Sequence, residues 1–167
     1  MNCKKDFVLT NNIYEVDNFI KKLGILIQDY LSAEEMMKFS LGIAEIIINA
    51  IEHGNLEIDY DQKSIFMKDG VYFDELRKRA ENNRYKDRRI YISLKADMTK
   101  IELVIRDCGC GFDWRKYFNN ENRNILDTHG RGLQIAKFYL DEISFNECGN
   151  EVKVLKIPTG KKCLRSN

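Results

Sequence analysis

Two polar side chains interrupt an otherwise apolar stretch of the sequence. From Leu41 to Ile51 every residue is apolar or small except Glu45 and Asn49. Their spacing places them on one face of a helix, and His53 extends the same stripe. A helix that is apolar almost all round is buried, and a buried carboxylate is costly unless something pairs with it. The pattern fits either a partly exposed stripe on a core helix or a site where hard oxygen atoms bind magnesium.

A second candidate segment follows a predicted strand that ends at Arg106. The sequence Asp107-Cys-Gly109-Cys-Gly111 places a carboxylate at the strand end, before two glycines that let the backbone turn sharply and approach a ligand closely. An ordinary turn after a strand would have the same pattern. The motif alone therefore does not identify a ligand site, and its interpretation depends on the other two segments.

The third segment is His129-Gly130-Arg131-Gly132-Leu133, at the start of a predicted helix. Glycine-rich backbone at a helix N-terminus presents free N–H groups and the positive end of the helix dipole, which suits a phosphate. Arg131 adds positive charge there. The alternative is a flexible helix start with a solvated arginine, but the three segments in this order are more specific than any one alone.

Local signals divide the rest of the chain into helices and strands. Apolar spacing predicts helices up to about Tyr30, from Ser32 to His53-Gly54, from about Tyr72 to Asn82 and from about Arg131 to Leu140. Runs of β-branched residues predict strands over 5–10, 89–96, 101–106, 141–145 and 151–157. The order predicts an α+β fold with helices on one face of a sheet.

Two helix starts carry capping signals, and two segments carry no clear element. Thr10, Asn11 and Asn12 are expected to cap the first helix, and Ser32 followed by Glu35 has the order of a capping box. Residues 55–89 are the least clear part of the chain, with a turn at Asp69-Gly70 before the short helix predicted at about Tyr72 to Asn82. The loop over 108–129 is long enough to suggest a function.

Composition excludes several classes of protein. The chain has 167 residues, 44% hydrophobic and 32% charged, and a formal net charge of +1. This balance of charges gives the protein no strong positive potential that would attract nucleic acid or an anionic membrane, so neither is expected as a direct partner. The apolar stretches are too short for a transmembrane helix and the first residues do not resemble a secretory signal, so the protein is expected in the cytoplasm. Five scattered cysteines argue against a disulfide framework.

The three segments resemble the asparagine box and the two glycine boxes of the GHKL ATPase superfamily. Within it, the runs 51–57 and 129–133, with Leu140-Asp-Glu-Ile, are similar to the branch of anti-sigma-factor serine/threonine kinases. The resemblance spans nearly the whole chain. It implies a single domain over 1–167, a two-layer α/β sandwich with a mixed, mainly antiparallel sheet. It also implies ATP and Mg²⁺ as ligands, and phosphorylation of an anti-anti-sigma (STAS) protein, with a sigma factor and a second copy of the chain as further partners.

The resemblance also assigns roles to individual residues. It implies that Glu45 is the base that activates the attacking hydroxyl group, that Asn49 is the magnesium ligand and that Asp107 accepts the adenine amino group. The remaining candidates contact the nucleotide: Gly109 and Gly111 line the base pocket, and Gly130, Arg131, Gly132 and Leu133 cradle the phosphates. Residues 112–129 are expected to form a lid.

Two features depart from the family pattern. Histidine-kinase relatives usually have a basic residue three positions after the box asparagine, where this chain has Glu52, so His53 is the candidate to replace it at the phosphates. The segment over 56–88 is an insertion relative to a minimal domain of this type. Its basic residues form either a solvated helix face or a docking surface for a partner.

Alternatives to a kinase remain open at this point. One is a nucleotide-responsive binding protein that sequesters a partner without phosphotransfer, and another is an ATPase that uses hydrolysis to change conformation. Cys108 and Cys110 are too isolated from other ligands to indicate a zinc site. Because they flank the predicted adenine pocket, we hypothesise that their oxidation lowers ATP affinity.

Overall fold

The computed structural model describes residues 2–115 and 131–159, except for the side chain of Arg131. Five strands and five α-helices lie in these ranges. The strands are β1 (Cys3–Leu9), β2 (Ile90–Ala96), β3 (Ile101–Arg106), β4 (Glu142–Phe145) and β5 (Glu151–Lys156). The helices are α1 (Tyr14–Ile27), α2 (Ala33–Asn49), α3 (Tyr60–Lys68), α4 (Tyr72–Glu81) and α5 (Arg131–Tyr139), and a π-helical turn, Ala50–Asn55, continues α2.

The strands form one sheet in the order β1-β2-β3-β5-β4, and all four pairings are antiparallel. The register places Leu94 opposite Leu103 and Leu103 opposite Val154, so one face of the sheet carries a continuous row of buried apolar residues. On the other face Tyr91 and Lys95 are exposed. This alternation is expected when helices cover one face of a sheet, and the predicted α+β class with an antiparallel sheet is confirmed.

Helix α2 is the central element of the core. It begins with the predicted capping box, in which the Ser32 hydroxyl accepts from the Glu35 backbone N–H and the Glu35 side chain accepts from the Ser32 backbone N–H. Phe39, Ile43 and Ile47 are fully buried against the apolar face of the sheet in a single core cluster. The packing fixes α2 along the sheet and brings the residues at its C-terminal end close to the ends of β3 and β5.

The structure corrects the predicted end of α2 and confirms one of the three predicted capping residues of α1. The α-helix ends at Asn49, and residues Ala50–Asn55 form a π-helical turn rather than an α-helix to Gly54. Ile13 lies at the N-cap position of α1, and the Oδ1 atom of the preceding Asn12 accepts from the Tyr14 backbone N–H at 3.1 Å. Asn11 is buried elsewhere because its amide group hydrogen-bonds inside the molecule.

The insertion contains helix α3, which the sequence did not predict. Asp59 and Gln62 form a capping box at its start, but no residue of α3 is buried, so the segment lacks the apolar spacing that reveals a helix. The short helix predicted at Tyr72–Asn82 is confirmed as α4. Residues 55–71 therefore hold one α-helix and the end of the π-helical turn.

Basic residues of the insertion hold its own segments together. Arg79 Nη1 donates to the carbonyl oxygens of Leu56 and Glu57, each at 2.9 Å. The Glu57 carboxylate, at a residue with φ of 52°, pairs with Arg84 at 2.6 Å and with Arg88 at 2.8 Å. Arg79 and Arg88 therefore have structural partners, while Arg77, Lys78 and Arg84 keep largely exposed side chains, so a docking role for this surface stays a prediction.

Within the described ranges, none of the helices has the length and apolarity to cross a membrane.

Candidate functional site

A cavity of about 400 Å³ lies between the C-terminal end of α2 and the ends of β3 and β5. Its volume falls in the range of small-ligand sites. Apolar side chains form much of the wall, among them Ile46, Ile105 and Val152. The predicted site residues in the wall are Asn49, His53, Asp107, Gly111 and Leu133. The fold thus brings all three sequence segments to one cavity.

Glu45 and Asn49 face the start of α5. A Cβ atom added at Gly132 would overlap Glu45 Oε2 and lie 3.4 Å from Asn49 Nδ2, so the helix start lies close to these two side chains and a larger residue at 132 would displace the end of the Glu45 side chain. Burial raises the pKa of Glu45, the nearby Lys63 lowers it and the Glu52 carboxylate raises it further. The carboxylate, the amide and the first turn of α5 therefore form one polar end of the site.

Asp107 marks the other end of the cavity. Its carboxylate accepts from the Gly109 backbone N–H at 2.7 Å, and burial raises the pKa of Asp107 to about 6. A Cβ atom at Gly54 would overlap this carboxyl group, and one at Gly109 would overlap the Gly54 carbonyl oxygen. Both glycines are therefore required for the π-helical turn to pack against the loop that follows β3.

The same loop interlocks with the turn between β4 and β5. Gly111 has a φ of 79° and packs directly on the Cys148 carbonyl group, while Gly149 has a φ of 80° and packs on Phe112. Asn150 Nδ2 donates to the Gly109 carbonyl oxygen at 3.2 Å. The cavity wall at this end is therefore built from two loops that hold each other in place.

Two buried asparagines, Asn11 and Asn55, support the loop that contains Asp107. The sequence did not predict this role. Asn55 is fully buried; its Oδ1 accepts from the Cys108 backbone N–H at 2.7 Å and its Nδ2 donates to Asn11 Oδ1 at 2.7 Å. Asn11 Nδ2 donates in turn to the Tyr85 carbonyl oxygen at 2.8 Å. The sequence assigned Asn11 to a helix cap and Asn55 to a helix stop, because both residue types favour those places.

His53 lies in the wall as a neutral side chain. Its Nδ1 donates to the Ile58 carbonyl oxygen at 2.5 Å, and burial lowers its pKa. Its ring contacts that of Tyr60, with the centroids 4.2 Å apart. A neutral histidine carries no positive charge to the phosphates, which speaks against His53 as the replacement for the missing basic residue.

Part of the predicted site lies outside the described residues. Gly130, His129 and most of the predicted lid belong to residues 116–130, and Arg131 is described only by its place at the start of α5. At the beginning of the lid, Trp114 Nε1 donates to the Asn146 carbonyl oxygen at 2.9 Å. Phe112 lines the cavity.

Metal-ligating side chains are sparse around the cavity. Across residues 2–115 and 131–159 no group of three or more histidines, cysteines or carboxylates is placed to hold an ion. Cys108, Cys110 and Cys148 are free thiols with exposed side chains. A divalent ion here would rely on single oxygen donors such as the Asn49 amide, together with a ligand's phosphates and water, as Mg²⁺ commonly does.

The fold and the cavity define the class of protein. An antiparallel sheet covered by helices, with an aspartate at one end of an apolar cavity and a glycine-flanked helix start at the other, is typical of a GHKL-type nucleotide-binding domain. The sequence model of the family described as Histidine kinase-like ATPase domain matches residues 19–156. The chain belongs to this family, for which ATP is the expected nucleotide. No curated protein matches the chain in sequence.

Proposed function

We propose that the protein is an ATP- and Mg²⁺-dependent serine/threonine kinase of the anti-sigma type, which phosphorylates a STAS-domain partner and holds a sigma factor inactive. The observation that carries the proposal is the packing of Glu45 and Asn49 against Gly132, at the start of α5. This arrangement puts a carboxylate beside the place where a helix N-terminus would bind phosphates. The proposed partners place the activity in the cytoplasm.

The nucleotide spans the cavity from Asp107 to α5 in this proposal. The adenine lies in the apolar part, and its amino group donates to the Asp107 carboxylate, which burial and the Gly109 N–H hold in a fixed direction. The phosphates lie at the first turn of α5, close to the Glu45 and Asn49 side chains that approach Gly132. Specific recognition of the base thus comes from one carboxylate inside an otherwise apolar wall.

Asn49 is the side chain suited to the magnesium ion. Its amide oxygen is a hard donor, and the side chain faces the start of α5 from the cavity wall. The ion, when bound, neutralises charge on the phosphate oxygens. The protein's own contribution is to hold the phosphates and the acceptor hydroxyl group in line, because phosphoryl transfer depends mainly on positioning and electrostatic stabilisation.

Glu45 is suited to accept the proton of the attacking serine or threonine. Partial burial raises the pKa of Glu45 above that of a solvated glutamate, which makes its carboxylate a better proton acceptor. Its carboxylate stays in place because it packs against Gly132. Glu45 needs only to reach the hydroxyl group of a partner that docks over the phosphate end.

Phosphate transfer from labelled ATP to purified STAS-domain proteins of the same genome tests the proposal. We expect label on a serine or threonine of one of them, and loss of transfer in Glu45→Gln with ATP affinity retained. Unchanged transfer in Glu45→Gln would refute the role of this residue. Nucleotide-dependent partner binding without transfer would favour the binding protein, and phosphate release without a partner would favour the ATPase.

A further inference from the structure

Glu52 is a fully buried carboxylate next to the phosphate end of the site. It lies in the π-helical turn three residues after Asn49, with 0% of its side chain exposed. Two side chains of the insertion meet it: the Tyr72 hydroxyl donates to Oε1, and Lys63 Nζ donates to Oε2 at 2.5 Å. A buried carboxylate without such partners would be strongly destabilising.

Lys63 reaches this place from helix α3. It lies one turn after Tyr60, which lines the cavity, so the two residues share one face of the helix. About one third of the Lys63 side chain is exposed (32%), and its ammonium group is paired with Glu52. Its charge also acts on Glu45, the side chain that packs against Gly132.

A cation of the protein at this end of the cavity would add to the neutralisation that Mg²⁺ supplies. Glu45 and Glu52 contribute two carboxylates, and a triphosphate would add further negative charge next to them. The neighbouring His53 is neutral, with Nδ1 committed to a backbone carbonyl group. Repulsion between the carboxylates and the nucleotide would weaken binding unless a positive group lay between them.

We propose that Lys63, held in position by Glu52, contacts the terminal phosphate of bound ATP and makes the site prefer ATP to ADP. The Glu52 carboxylate thus holds a lysine from helix α3 at the phosphate end of the site. Glu52 and Tyr72 act as positioning residues. The inference rests on the proposed function only in requiring that ATP binds with its phosphates at α5.

Calorimetric titration with ATP and with ADP, each with Mg²⁺, tests this inference. A hydrogen bond to a charged group is typically strong enough that its loss lowers affinity about tenfold or more. We expect Lys63→Met to lose about this factor for ATP while its ADP affinity stays unchanged, and Lys63→Arg to recover much of the loss. Lys68→Met is the matched control, because Lys68 is exposed at the end of the same helix.

Lys63→Met leaves Glu52 buried beside Tyr72 alone, so a folding defect could imitate a binding defect. The double variant Glu52→Gln/Lys63→Met removes both charges and keeps an acceptor for the tyrosine hydroxyl. If it is folded and still discriminates poorly between ATP and ADP, Lys63 contacts the phosphate. If it binds both nucleotides like the wild type, Lys63 is only a structural partner of Glu52. Failure of the wild type to bind either nucleotide would instead refute the proposed function, and the inference with it.

Discussion

Replacing Asp107 by asparagine should stabilise the protein without nucleotide, although it removes the group proposed to recognise adenine. The Asp107 carboxyl group is largely enclosed by Gly54 and the loop that follows β3, and burial raises its pKa from 3.8 to about 6. A carboxyl group with a raised pKa binds its proton more tightly in the folded state than in the unfolded state. Its ionisation at neutral pH therefore opposes folding.

The magnitude follows from the difference between the two pKa values. A shift of about two units corresponds to about 3 kcal/mol at a pH above both values. The raised pKa already includes the hydrogen bond from the Gly109 N–H, and the neutral asparagine side chain keeps an acceptor for that N–H. We expect Asp107→Asn to raise the free energy of unfolding by about 3 kcal/mol at pH 7.5, or the melting temperature by roughly 6 to 12 °C.

The pH dependence distinguishes this cause from a general effect of the substitution. Because Asp107 becomes protonated in the folded protein as the pH falls through about 6, the advantage of Asp107→Asn should shrink from there and vanish near pH 4. Thermal melts of both proteins between pH 4 and pH 8 measure this difference, and other carboxylates cancel in the comparison. An advantage that is absent at pH 7.5, or equal at every pH, would refute the assignment of a destabilising buried charge. With ATP present, the melting temperature of the wild type should rise more than that of Asp107→Asn, because the variant lacks the carboxylate proposed to bind adenine.

Two further substitutions test how the rest of the site is built. Gly132→Ala would place a methyl group against Glu45 Oε2 and displace the end of this side chain at the phosphate end of the site, so ATP affinity in calorimetry should fall several-fold while the protein stays folded. Asn55→Ala removes the partner of both the Asn11 side chain and the Cys108 backbone N–H inside the protein, so urea unfolding should show a loss of about 2 to 3 kcal/mol.

The glycine experiment has a control on helix α1. A Cβ atom at Gly24 would meet only Met36 Sδ, at the ordinary contact distance of 3.8 Å, so Gly24→Ala should leave ATP affinity unchanged. Equal affinities of Gly132→Ala and the wild type would contradict the close approach of α5 to Glu45. A loss well below 1 kcal/mol in Asn55→Ala would show that water replaces the lost hydrogen bonds.

Much of the fold and the candidate site could be predicted from sequence because the signals are local. The Ser32 capping box, the apolar spacing along α2 and the alternation along β2 each depend on residues a few positions apart. The spacing of Glu45 and Asn49 fixes them on one helix face, whatever lies around them. The sequence alone therefore determined the class of fold and the order of the segments that form the cavity.

Only the tertiary structure decided which groups meet across long stretches of chain. Lys63 and Tyr72 lie 11 and 20 residues from Glu52, and Asn11 lies 44 residues from Asn55, so no local pattern links them. Helix α3 was not predicted for a different reason. It buries no residue, so its sequence carries no apolar stripe. Burial of polar groups depends on how the elements pack, and packing sets both the partners and the pKa values that give the site its chemistry.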